Sequence, residues 1–208
     1  WPRKYIADHE GYIRYDHIGE GAYKETEKII QELLKERSHS LGLQVASAES
    51  LVDIEEFEHT SFRTPELYFG YKLAQGRNQL GSQEGFNQNK VIDYQKPEKI
   101  DLHKFYPIGQ WANLEDSMRL ESDTGSIKVL YHAKEVNIVT ANQADLEIFL
   151  DGAPIDVTYA GSDLTSGNTI TVSEPDLYNI VNSKESATHE LEIKINGKGF
   201  EMYTFTFG

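Results

Sequence analysis

Residues able to do chemistry are sparse in this chain, and the first to settle is sulfur: no cysteine occurs among its 208 residues. Thiolate attack, disulfide staples and thiolate metal sites are therefore outside its reach. The aromatic side chains are the next candidates, because a planar ring beside amides and carboxylates can stack on the apolar face of a pyranose while its neighbours hold the hydroxyls. Tyr159, next to Gly161-Ser162-Asp163 in an expected loop, fits an exposed platform. Trp111 and Tyr178 are further ligand-binding candidates; for Trp111, burial between sheets is the competing and preferred reading. Asp151, Asp156 and Asp163 lie near expected turns and suit the hard oxygen chemistry of a structural calcium. They lack calcium-loop spacing, so local capping of the backbone is preferred and neither a metal nor a cofactor is expected. The seven histidines are scattered without zinc-ligand spacing and read as surface residues. No nucleophile elbow, phosphate-binding glycine loop or marked pair of catalytic carboxylates is present.

The elements that would position these residues follow from periodicity. Tyr5-Ile6 and Tyr12-Ile13-Arg14-Tyr15 flank a polar turn ending in Gly11, which predicts a hairpin. A helix is expected from about Tyr23 to Glu36, with Ile29, Ile30, Leu33 and Leu34 on one stripe, Glu25 and Glu27 early and Lys35 late. One hairpin and one helix cannot close a core alone. Residues 37–63 read as a linker with one short helix. Thr64-Pro65-Glu66 places an N-cap residue before a proline at the first helical position, predicting that the segment Thr64 to Tyr71 begins with a turn of helix. The Gln-, Asn- and Gly-rich stretch 74–98 is expected to be a wrapping surface loop.

From about residue 101 the period becomes two. Ile127, Val129 and Tyr131 alternate with polar neighbours, as do Leu191, Ile193 and Ile195. Turn signals at Asp151-Gly152, Gly161-Ser162 and Asn196-Gly197 separate these strands, and the last predicts a closing hairpin between 191–195 and 200–207. The expected fold class is mainly β, a jelly-roll-like antiparallel β-sandwich preceded by a partial thioredoxin-like β-β-α unit. The domains would be 1–36, the linker 37–63 and the sandwich 64–208.

Composition narrows the partners. A formal charge of −14 offers no basic stripe for nucleic acid. No apolar run is long enough to span a membrane, and the first residues lack the pattern of a signal peptide.

Two stretches carry a family resemblance. Trp1-Pro2-Arg3-Lys4-Tyr5-Ile6-Ala7-Asp8-His9-Glu10-Gly11-Tyr12-Ile13, followed by Gly19-Glu20-Gly21-Ala22-Tyr23, resembles the end of thioredoxin-like domains of the peroxiredoxin and TlpA type. Thr64-Pro65-Glu66-Leu67-Tyr68-Phe69-Gly70-Tyr71, Gly109-Gln110-Trp111, Tyr131-His132-Ala133-Lys134-Glu135-Val136, Leu150-Asp151-Gly152, Glu174-Pro175-Asp176-Leu177-Tyr178 and Tyr203-Thr204-Phe205-Thr206-Phe207-Gly208 occur in that order and resemble the C-terminal region of DipZ-like proteins. The resemblance implies a membrane-anchored, extracytoplasmic thiol–disulfide or cytochrome c biogenesis protein whose thioredoxin-like domain precedes a sandwich similar to carbohydrate-binding modules. It implies that Pro2 matches the cis-proline facing the redox cysteines, and that the strand and helix bearing those cysteines lie upstream of Trp1. The partner of residues 1–36 would be that missing half, and this chain alone would be inactive in thiol exchange. The sandwich would bind a glycan or a protein, or position the redox domain. A stand-alone carbohydrate-binding module and a purely structural platform are the alternatives.

Overall fold

The computed structural model describes residues 2–19, 21–43, 63–165 and 167–208, and the chain divides into two compact units, 1–60 and 61–208. The first unit holds the predicted hairpin. Strands β1 (Arg3–Ala7) and β2 (Ile13–Ile18) pair antiparallel, with Arg3 opposite Ile18. Their turn is fixed by Asp8, whose Oδ1 accepts the Glu10 and Tyr12 backbone N–H groups at 3.0 and 2.9 Å.

Helix α1 (Tyr23–Ser40) runs a full turn further than expected. Ser38-His39-Ser40 reads as loop by composition, yet the helix stops only where Gly42 adopts a left-handed φ of 65° and the Leu41 N–H bonds the Arg37 carbonyl. Arg14 of β2 reaches Glu36 of the helix at 2.9 Å and Asp8 at 3.3 Å. No helix residue is buried, and Ile13, Ile18, Ile30 and Leu34 are exposed. The β-β-α unit therefore has no core of its own among the described residues. The short helix expected within the linker falls on residues outside the described ones.

The second unit is antiparallel β throughout its named strands. These are β3 (Leu67–Tyr68), β4 (Val91–Tyr94), β5 (Lys104–Asn113), β6 (Met118–Leu120), β7 (Thr124–Ala141), β8 (Ala144–Leu150), β9 (Ala153–Pro154), β10 (Thr169–Val172), β11 (Asp176–Asn196) and β12 (Glu201–Phe207), with the single-turn helix α2 (Tyr71–Ala74) after β3. The order across the sheet is β10-β8-β11-β7-β12-β6-β5-β4. One edge of β7 is shared: β5 takes residues 126–130 and β12 takes residues 136–141. β6 closes the circuit by pairing with both β5 and β12. Strands sharing one edge of a long ribbon must diverge, so the sheet folds over and its inner faces enclose one core, from Leu67 through Ile127 and Leu191 to Phe205. The fold is a mainly β antiparallel sandwich.

Alternation in β7 and β11 is as the sequence predicts, with Ile127, Val129, Tyr131, Leu191 and Ile193 at most 1% exposed. Three local expectations are corrected. The Asn196-Gly197 turn makes no hairpin, because both edges of residues 191–196 are already taken, by β7 on one side and β8 on the other. With those backbone groups satisfied, β12 must cross to the other layer to find a partner. Residues 74–98 are more than a loop: β4 is an edge strand of the sheet and Tyr94 is 1% exposed, its hydroxyl donating to Gly85 O and Asn113 Oδ1. Burial pushes the Tyr94 phenol up to about 12.

Thr64 caps no helix. Leu67 and Tyr68 are a strand on β12, since Leu67 and Phe69 are fully buried and a helix there would turn one of them to solvent. Thr64 is instead a buried clasp. Its Oγ1 accepts the His132 N–H at 2.7 Å and meets His103 Nδ1 at 2.8 Å, while its own N–H bonds the His132 carbonyl. Burial and then the neighbouring His132 hold His103 below the ordinary imidazole range. A base with a depressed folded pKa stabilises the fold fully above the unfolded value and loses that contribution as pH falls through the folded one. The urea midpoint should therefore drop from about pH 7.5 to about pH 5, crossing the ordinary imidazole range near 6.5. In His103→Asn, which tolerates the φ of 65° at this position, the drop should be shallower; equal slopes would refute the clasp.

Candidate ligand-binding site

Of the residues singled out in the sequence, Pro2 is exposed and its carbonyl accepts the Gly19 N–H at 2.7 Å, closing the open end of the hairpin. Trp1 lies outside the described residues, and with it the Trp1-Pro2 bond and the cis-proline expectation. Trp111 is withdrawn as a ligand-binding residue. It is fully buried in the middle of β5, where Gly109, at φ 100°, lets the strand change partners from β7 to β4 and β6. Its indole N–H donates to the Ile108 carbonyl at 3.1 Å and its ring meets Phe200 edge-on at 6.4 Å. Tyr178 is half-buried against the core, its hydroxyl spent on the Glu174 carbonyl at 2.9 Å. It is a poor platform.

Tyr159 is different. It follows an Asx turn in which Asp156 Oδ1 accepts both the N–H and the hydroxyl of Thr158, at 2.9 and 2.8 Å, bonds that hold the Asp156 carboxyl below its ordinary range. The Tyr159 carbonyl accepts the Asn182 N–H and the next residue bridges to Val181, so the segment is pinned along β11. Tyr159 is 37% exposed and its ring stands edge-on to the His189 imidazole at 5.7 Å. His189 is itself fixed, Nδ1 to Asp151 Oδ2 at 2.7 Å, and the other Asp151 oxygen accepts the Glu190 N–H. Asp151 and Gly152, at φ 50° and 80°, supply the two positive dihedrals of the tight turn between β8 and β9 that carries this carboxylate to His189.

The histidine was missed by reading it as a surface residue. The signal was present, because period two sets His189 on the face of Leu191, Ile193 and Ile195, and it pairs across the strands with Tyr131. The Tyr131 hydroxyl is buried without a hydrogen-bond partner, and burial together with the Asp151 charge pushes its phenol up, so it stays a donor. The end of the sandwich thus offers an exposed ring, a braced imidazole and a carboxylate, while the Tyr131 hydroxyl stays out of a ligand's reach. The calcium hypothesis gains nothing. Asp151 and Asp156 are spent as described, Asp163 Oδ2 accepts the Asn179 N–H at 2.7 Å, and no three acidic or histidine side chains converge among the described residues.

The sequence pattern of a family described as the thioredoxin-like C-terminal domain matches residues 64–208, the whole sandwich. The chain belongs to that family. It is similar over all 208 residues, at 27% identity, to Protein DipZ of Mycobacterium bovis and of Mycobacterium tuberculosis, and spans 27% of the length of those relatives. Among solved structures it is distantly similar to a family two carbohydrate esterase from Clostridium thermocellum with cellohexaose, at 11% identity and a TM-score of 0.36, over 45% of this chain and 27% of that one. A two-domain esterase active on acetylated mannans gives 11% identity and a TM-score of 0.32, over 87% and 46%. Within the DipZ-related chain, no described helix is long and apolar enough to cross a membrane.

Proposed function

We propose that the chain is the C-terminal part of a membrane-anchored, extracytoplasmic thiol–disulfide oxidoreductase of the DipZ-like type, related to cytochrome c biogenesis, and that its jelly-roll-like sandwich, residues 64–208, is a non-catalytic glycan-binding module. The absence of cysteine leaves thiol chemistry to the rest of such a protein. Residues 1–36 would complete a thioredoxin-like domain whose other half covers Ile13, Ile18, Ile30 and Leu34, the side chains this unit leaves exposed. Residues 37–63 would link the two.

The observation that carries the glycan reading is the Tyr159 ring, held half-exposed by its pinned segment and backed by the Asp151–His189 pair. A ring fixed before the ligand arrives loses little conformational freedom on stacking. The test is a nuclear magnetic resonance titration of the whole chain with neutral and acidic oligosaccharides. Resonances of the 156–163 segment and of His189 should shift on binding, and Tyr159→Ala should weaken the interaction about tenfold, or about 1.4 kcal/mol. Clean absence of shifts across the series would leave the sandwich as a positioning platform.

A further inference from the structure

A second feature lies on the solvent face of the sheet. An open cleft of about 740 Å³ crosses β5, β7, β11 and β8, with Asp145, Glu147, Glu192, Lys194, Asn196 and Ser126 in its wall. Strand register explains why these side chains meet. Ser126, Lys194 and Glu147 form one cross-strand row, and Thr124, Asn196 and Asp145 form the next. All are the outward members of the alternation that buries Ile127, Ile193, Ile195, Leu146 and Ile148.

The charges in this row are not matched. Lys194 stands directly across from Glu147, where an ion pair would be expected. Its ammonium instead sits over the Phe149 ring, 4.0 Å from the centroid, and Glu147 has no ion-pair partner among the described residues. Glu192 reaches Lys128 at 3.4 Å, but Lys128 also holds Glu190. Among the described residues Asp145 accepts only the Thr171 hydroxyl, at 2.7 Å. Ser126 supplies an independent sign of a ligand. It lines the cleft at 9% exposure, and its hydroxyl has no hydrogen-bond partner among the described residues.

From this geometry we infer that the cleft receives a lysine- or arginine-bearing segment of a partner protein. Carboxylates only accept hydrogen bonds, so the occupant must be rich in donors, and Asp145 and Glu147, which have no ion-pair partner among the described residues, select a cation. The chain's charge of −14 steers such a partner inward. Among the described residues no aromatic ring lines the cleft, and the Phe149 ring carries the Lys194 ammonium, so no free face is offered to a pyranose, whereas Ser126 and Asn196 can serve a peptide backbone. The site is separate from the Tyr159 end and does not depend on glycan binding there.

The test is fluorescence anisotropy of the whole chain with a labelled peptide of alternating glycine and arginine, and with its glutamate counterpart, at low and at physiological salt. The arginine peptide should bind and the glutamate peptide should not, with affinity falling as salt rises. Asp145→Asn with Glu147→Gln should weaken binding about tenfold or more, while the charge-matched pair Glu98→Gln with Glu174→Gln changes it less than about twofold. Lys194→Gln should strengthen binding, and Tyr159→Ala should leave it unchanged. Equal losses in the two double variants would reduce the effect to diffuse charge and overturn the site. Failure of the arginine peptide to bind, or tighter binding of glucosamine oligomers than of the peptide in this cleft, would overturn it too.

Discussion

Trp111→Ala should lower the unfolding free energy of the sandwich by about 3–5 kcal/mol, the range for deleting a large buried aromatic. Domains of this kind are held by only about 5–15 kcal/mol, so the variant should sit close to unfolding at ambient temperature. The physical reason is placement. Trp111 has no exposed surface, faces Ile92 and Leu120 across its two neighbouring strands, and contacts Phe200 at the crossover into β12. Removing the indole opens a void where the strands β4, β5 and β6 meet the chain segment that redirects β12. Trp111→Phe keeps most of the packing and removes the N–H that the Ile108 carbonyl accepts, so its cost should be smaller, about 1–3 kcal/mol. Urea unfolding followed by circular dichroism measures both. Oligosaccharide titration of Trp111→Phe adds the functional half: unchanged binding is expected, and a selective loss would return Trp111 to the ligand surface.

Trp111 also shows where the sequence was legible and where it was not. Its burial was the preferred reading, because a large apolar ring in a period-two segment has few other places to go. The long alternating strands were legible for the same reason: Ile127, Val129, Leu191 and Ile193 face inward whatever the topology. What local pattern could not supply was competition for edges. Asn196-Gly197 is a sound turn sequence, and Gly197 does turn the chain, its N–H bonding the Asp123 carbonyl. Only the prior pairing of β11 with both β7 and β8 forbids the hairpin. Thr64 failed likewise, since its cap-like position before Pro65 was overridden by a clasp to His103 and His132, 39 and 68 residues away. At the candidate site, Tyr159 could be picked out by its glycine- and serine-rich surroundings. His189 required following the alternation of β11 beyond its apolar residues, and Asp151 required knowing that a turn would carry it to that histidine.

Gly161→Ala is the substitution that should join stability to the site. A β-carbon built at Gly161 would lie 2.1 Å from the Asn179 carbonyl oxygen and 2.5 Å from its carbon, backbone atoms that cannot rotate away. The closeness has a cause, because β11 changes register between Asn179 and Val181 and the 159–163 segment docks onto that irregularity. The Gly161 and Asp163 N–H groups bond the Ile180 and Asn179 carbonyls, and the Ser162 N–H bonds Asn179 Oδ1. An added methyl must push the segment off the strand, at a cost of about 1–3 kcal/mol by overpacking, with these bonds loosened as well. Tyr159 lies two residues upstream and is held by the Asn182 N–H on the same strand, so its ring should leave His189. Gly76→Ala is the control. It has no neighbour within 4 Å and only its φ of 76° to strain, so it should cost about 1 kcal/mol and leave the Tyr159 contact in place. Urea midpoints and the chemical shifts of the His189 ring, read together, decide the matter. If Gly161→Ala destabilises the fold while the His189 shifts stay unchanged, the segment is not what braces Tyr159, and the preformed platform on which the glycan reading stands is lost.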